Sequence, residues 1–61
     1  MEPINRICSI LRRQVVENQM RVGQVIDIVL RDYVTKDGTD PYFVSDEKFA
    51  KCLEQYQNDM D

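Results

Sequence analysis

Four carboxylates, Asp37, Asp40, Asp46 and Glu47, fall within one short stretch of the chain, a density that raises the question of a calcium site. Calcium loops place oxygen ligands at alternate positions around a glycine and close with a glutamate. That register is absent here, and turn-forming and helix-capping roles account for all four acids. The two cysteines, Cys8 and Cys52, stand far apart, and there is no histidine. The usual general base and the commonest metal ligand are therefore missing. Two isolated cysteines cannot complete a four-ligand zinc site unless chains pair. No serine or cysteine lies in a nucleophile motif and no glycine-rich loop cradles phosphate, so we expect no catalytic residues, no metal, no cofactor and no enzymatic activity.

The positive charges suggest a second chemistry. Arg6, Arg12, Arg13 and Arg31 would form a phosphate-binding patch if the first two helices packed side by side. The plainer reading is that they are solvated faces paired with Glu17, Asp27 and Asp32, and Arg13 and Glu17 have the four-residue spacing of a weak surface pair. Residues 1–33 carry five arginines against four acids, whereas residues 34–61 carry three lysines against seven acids. A nucleic-acid binder concentrates a basic surplus on one face. The net charge of −3 makes nucleic acid the less favoured partner.

Three amphipathic segments must position these groups. Arg21 to Tyr33 is the most regular, with Val22, Val25, Ile26, Val29 and Tyr33 on one helical stripe and Leu30 widening it. Gln24, Asp27 and Arg31 point the other way. Gly23 borders the stripe, where a missing side chain would let another backbone approach. Ahead of it, Pro3 suits a first helical turn, and Ile4, Ile7, Cys8, Leu11 and Val15 repeat the same spacing at an offset of 18 residues. That pattern permits one continuous helix or two helices with facing stripes. The polar Glu17-Asn18-Gln19 favours the hairpin, with Asn18 suited to the left-handed conformation that ends helices.

After Tyr33 the apolar pattern stops. Asp37-Gly38 and Asp40-Pro41 carry turn chemistry, and Pro41 argues against a β-hairpin there. Tyr42, Phe43 and Val44 follow as an apolar clamp, expected to fold over the open end of the helical pair. Ser45 is a natural N-cap, with Asp46 and Glu47 near the positive helix end. Val44 and Phe49 have the spacing of a hydrophobic staple. Phe49, Cys52, Leu53 and Tyr56 give the third stripe. The expected fold is thus all-α, a small three-helix bundle over residues 1–61, with helices at about 3–17, 21–34 and 45–57 and a frayed end from Asn58 onward. Cys8 and Cys52 sit on these stripes and are expected to be buried and unpaired.

The order Arg21-Val22-Gly23-Gln24, then Asp40-Pro41-Tyr42-Phe43-Val44 and Ser45-Asp46-Glu47, resembles a group of short bacterial and phage proteins of unknown function. Those carry Arg-x-Gly-Gln followed by an Asp-Pro-aromatic-aromatic stretch and an acidic helix start. The resemblance implies a compact helical fold and no particular activity. This chain departs from that pattern at Asn18-Gln19-Met20, where a proline-bearing turn often stands. Val25 to Tyr33 also looks like the second helix of ribbon-helix-helix DNA-binding proteins, which need an alternating N-terminal strand that Met1 to Arg6 does not supply.

Ile10, Val16 and Ile28 are large and apolar yet lie off the main stripes. Either a helix is buried on two sides, or these residues face another protein. A chain of 61 residues is near the lower limit for a self-sufficient core. The leading expectation is therefore a non-catalytic helical protein–protein interaction module, a small regulator or inhibitor that docks on a partner or on its own copy. The alternative is a small DNA-binding regulator using the arginine-rich first half. No charged-then-apolar leader opens the sequence and no apolar run approaches the ~18 residues of a membrane span, so a cytoplasmic location without membrane contact is expected.

Overall fold

The computed structural model describes residues 2–60 and is all-α. Helix α1 spans Glu2–Glu17 and helix α2 spans Val22–Val29; α2 runs on through a π-helical turn, Leu30–Val34, and a 3-10 turn, Thr35–Asp37. A second 3-10 turn, Pro41–Phe43, precedes helix α3, Asp46–Met60. The architecture is the expected helical hairpin followed by a C-terminal helix after a turn-rich loop. No helix among the described residues is long and apolar enough to cross a membrane.

The break between α1 and α2 falls one residue later than expected. Gln19, not Asn18, takes the left-handed conformation, at φ 57°. The carbonyl of Gln14 accepts from the backbone N–H groups of Asn18 (3.1 Å) and Met20 (3.2 Å), closing the helix end. Asn18 uses its side chain instead, donating Nδ2–H to Gln14 Oε1 at 2.8 Å. At the start of α2, Gln24 Oε1 accepts from the Arg21 N–H at 3.0 Å. Gly23 is exposed, and a side chain there would meet nothing within 4 Å, so no neighbouring backbone requires its small size.

The buried face of α1 is rotated by roughly a quarter turn from the expected stripe. Ile10 and Gln14 are buried, with Ile7 and Leu11 partly so, while Ile4 and Cys8 are exposed. The cause is packing against two neighbours. α1 lies chiefly on α3 and also contacts α2, so its buried arc is centred between them, and the large Ile10 takes the place assigned to Cys8. Ile10 is only 7% exposed, so it is core and not interface. Ile28 is half-buried and also packs against the core. Gln14 is buried beside these apolar groups, and its Nε2 has no hydrogen-bond partner among the described residues.

In α2 the register changes at the π turn. The Thr35 N–H bonds to the Leu30 carbonyl, five residues back, so one extra residue is accommodated per turn. The buried positions accordingly run Val25, Val29 and then Val34, spaced four and then five. Tyr33, expected to end the stripe, is half-buried beside the core, and Val22 at its start is exposed. Thr35 Oγ1 donates to the Arg31 carbonyl at 2.7 Å, filling an acceptor that the widened ladder alters.

α3 follows the local signals closely. Ser45 caps it, its Oγ accepting from the Lys48 N–H at 3.1 Å. Val44 and Phe49 both pack against the core. Ala50, Leu53 and Tyr56 are buried, and the Tyr56 ring meets Tyr33 edge to face at a centroid distance of 6.0 Å. The helix does not fray at Asn58 but continues to Met60, where Asp59 is bonded to Tyr33 and Gln55. The rotated face of α1 leads to a contrast between two isoleucines of one helix. Ile10→Ala should lower unfolding free energy by about 2–4 kcal/mol and Ile4→Ala by less than about 1 kcal/mol, as read by urea denaturation. Equal losses would contradict the observed packing.

Candidate functional site

Two surface features stand out, and the same loop joins them. The first is an open groove of about 660 Å³ between the end of α2 and α3, lined by Tyr33, Lys36, Ser45, Glu47, Lys48, Lys51, Cys52, Gln55 and Asp59. Its α3 side is a second helical stripe, since Lys48, Lys51, Cys52, Gln55 and Asp59 are spaced i, i+3, i+4, i+7 and i+11. The π turn supplies the other wall by leaving Tyr33 outside the core, where its hydroxyl donates to Asp59 Oδ2 at 2.7 Å. Gln55 Nε2 donates to the other Asp59 oxygen at 2.9 Å. These two bonds hold the last turn of α3 in place.

Both partners of that contact titrate abnormally. The hydrogen bond to Asp59, with burial and the negative charge of Asp59, pushes Tyr33 up to about 12. The Asp59 carboxyl is lowered, mainly by the Tyr33 hydroxyl and then by Gln55. At the rim, Lys48 Nζ donates to Asp37 Oδ2 and, at 2.7 Å, to Thr39 Oγ1. Thr39 in turn donates from its backbone N–H (3.2 Å) and hydroxyl (2.6 Å) to Asp37 Oδ1. Lys48 foremost, then Thr39, bring Asp37 down to about 2. This lock ties the loop to α3. Cys52 lies half-buried between the lysines, and desolvation raises its thiol against the opposing charge of Lys48.

The second feature is the Pro41–Phe43 turn. Asp40 initiates it, Oδ1 accepting from the Tyr42 N–H at 2.9 Å and the carbonyl accepting from the Phe43 N–H at 3.0 Å. Pro41 stands at the first helical position, where no N–H is needed. Tyr42 and Phe43 do not fold over the helical pair as expected. They are 85% and 76% exposed and pack on each other edge to face, ring centroids 4.9 Å apart. The physical reason is that consecutive residues of a tight helix point about 120° apart, and here only Val44, after the turn, reaches the core.

The residues singled out from sequence are distributed as follows. Arg6 is turned toward α3 and pairs with Glu47 and Glu54, each at 3.4 Å, as well as with Glu2 at 3.8 Å. Arg13 pairs with Glu17 at 3.4 Å, at the spacing noted from sequence. Arg31 pairs with Asp27 (3.0 Å) and Asp32 (3.4 Å), and Arg12 is exposed. Of Ile10, Val16 and Ile28, only Val16 is openly exposed, at 70%. The four loop carboxylates serve the turn, the cap and ion pairs, with Asp46 and Glu47 in the first turn of α3. Among the described residues, no group of three or more His, Cys, Asp or Glu is arranged to hold a metal ion. The aromatic pair and the lysine-lined groove were missed. An aspartate before proline at position 41 is an N-cap signal, and the polar stripe of α3 was countable.

No protein-family model matches the chain, and no curated protein or solved structure matches it.

Two measurements follow from this site. Cys8 is exposed and Cys52 is half-buried with a raised thiol pKa, so the expectation that both are buried fails for Cys8. Labelling of the native protein with a thiol reagent should show one fast and one slow cysteine, with Cys8→Ser removing the fast phase. Two equally slow thiols would contradict the rotated α1. For Tyr33 the folded pKa lies above the ordinary value of 10.0, so the folded state holds this proton more tightly. The stabilisation is complete below pH 10 and disappears as pH rises through about 12. Alkaline ultraviolet titration should show a late-ionising tyrosine that Tyr33→Phe abolishes, and an unchanged titration would sink the Tyr33–Asp59 bond.

Proposed function

We propose that this chain is a non-catalytic protein-docking module whose contact element is the Tyr42–Phe43 pair. The carrying observation is that two large aromatic rings stand almost fully in solvent on a turn fixed at both ends, by the Asp40 cap and by the Ser45 cap of α3. Aromatic side chains dominate binding energy at protein interfaces, and a contact held in its bound shape before binding loses little entropy on association. The turn is flanked in sequence by the exposed Asp40 and Asp46, so a partner surface that is apolar and carries basic groups fits it. Val16 adds a further exposed apolar contact on α1. The arginine-based DNA reading has less support, because Arg6, Arg13 and Arg31 already face carboxylates. A cytoplasmic setting suits the free thiols of Cys8 and Cys52.

The test is site-specific photo-cross-linking in the source cell, with a photoreactive residue placed at Phe43 and, as control, at the exposed Asn5. A protein adduct at position 43 that is absent at position 5 and lost on Tyr42→Ser is the expected result. No adduct above the control would defeat this reading, and an adduct to nucleic acid would favour the DNA alternative.

A further inference from the structure

The lysine-lined groove and the aromatic turn are adjacent on one chain, and their chemistries are complementary. Ser45, which lines the groove, lies two residues beyond Phe43, so along the chain the aromatic turn leads directly into the groove lining. We propose that two copies of this chain form a two-fold dimer in which the Tyr42–Phe43 turn of each copy enters the groove of the other. The proposal rests on the docking role given above to the aromatic pair and names its partner.

Size, charge and symmetry each support it. The groove, at about 660 Å³, lies within the range of about 300–1,000 Å³ that holds a drug-sized body, which leaves room for two rings packed edge to face. A buried aromatic side chain removes roughly 150–250 Å² from water. In a reciprocal dimer four such rings are covered, and the lining of each groove adds a smaller area. The total is about 1,200 Å² or less, the size of a weak, reversible interface.

The charges match in the same sense. Lys36 and Lys51 line the groove and have no hydrogen bond or ion pair among the described residues, whereas Lys48 is held by Asp37 and Thr39. The groove's own Asp59 is occupied by Tyr33 and Gln55, and Glu47 by Arg6. Lys36 also acts on the Asp59 charge, which leaves Lys51 as the ammonium most open to an incoming acid. The aromatic turn brings Asp40 and Asp46 on its flanks, both exposed. Tyr33 and Cys52 add apolar surface to the groove lining. A two-fold axis passing beside the rim exchanges turn and groove, so every contact occurs twice, as a self-complementary interface requires.

The experiment is sedimentation velocity on the full chain and on two double variants, Tyr42→Ser/Phe43→Ser and Lys36→Glu/Lys51→Glu. All four positions are exposed, and circular dichroism checks that each variant folds. Wild type should sediment as a dimer, weakened by salt, and each variant should dissociate with a constant raised roughly thirty-fold or more. Mixing the two variants provides the decisive result. The first keeps an intact groove and the second an intact aromatic turn, so the equimolar mixture should associate more tightly than either alone and more weakly than wild type. If charge reversal disturbs folding, Lys51→Ala is tested in the same way. A wild-type monomer at about 1 mM, a dimer indifferent to Tyr42→Ser/Phe43→Ser, or a mixture no tighter than its components would overturn the proposal. A monomer that still cross-links through position 43 to a different protein would leave the docking role standing and remove only the second copy as its partner.

Discussion

The structure depends on one extra residue in one helical turn. A regular α-helix through Leu30–Val34 would carry the apolar face from Val29 to Tyr33 and place a phenol in the core. The π turn moves that face on by one position, so the smaller and wholly apolar Val34 fills the core instead. Tyr33 is released to the side, where it packs edge to face on Tyr56 and bonds Asp59. The same shift therefore closes the core, builds one wall of the groove and secures the end of α3. π turns are uncommon and concentrate at functional sites, and this one separates a packing residue from a surface residue at neighbouring positions.

Around that turn, polar contacts of unequal kinds hold the elements together. Arg6 joins α1 to α3 through two glutamates, and Lys48 joins the loop to α3 through Asp37 and Thr39. Both are surface interactions, individually modest in free energy. Their value lies in geometry, because the first fixes α1 against α3 and the second fixes where the loop leaves the bundle. The buried Gln14 is the opposite case: it lies wholly inside, with one bond to Asn18 and an amide nitrogen left without a partner among the described residues. Buried polar groups of that kind reduce stability, and this one sits next to the strained Gln19 at the hairpin bend.

What could be read from sequence was whatever the chain decides locally. Ser45 as a cap, the acidic first turn of α3, the Leu53 and Tyr56 stripe and the hairpin itself all depend on residues within a few positions of one another. What could not be read depends on neighbours. The rotation of α1 that buries Ile10 and exposes Cys8 is set by two partner helices, and apolar periodicity in one helix cannot report the angle between them. The π insertion is likewise a packing outcome, invisible to a count based on 3.6 residues per turn. The exposure of Tyr42 and Phe43 falls between these cases. Hydrophobicity placed them inside, although the Asp40-Pro41 start of their turn carried the opposite message.

That turn has a consequence for how the chain can evolve. Its shape is maintained by Asp40, Pro41 and Ser45 through backbone and cap contacts, and the two exposed rings pack on each other and lie outside the core cluster. Positions 42 and 43 can therefore change identity under selection without approaching the stability threshold that constrains substitutions in so small a core. Fold and surface chemistry are inherited on different residues. Related chains could diverge in what they present to their surroundings through two codons while keeping the same bundle, and a library varied at those two positions alone would sample recognition on an unchanged scaffold.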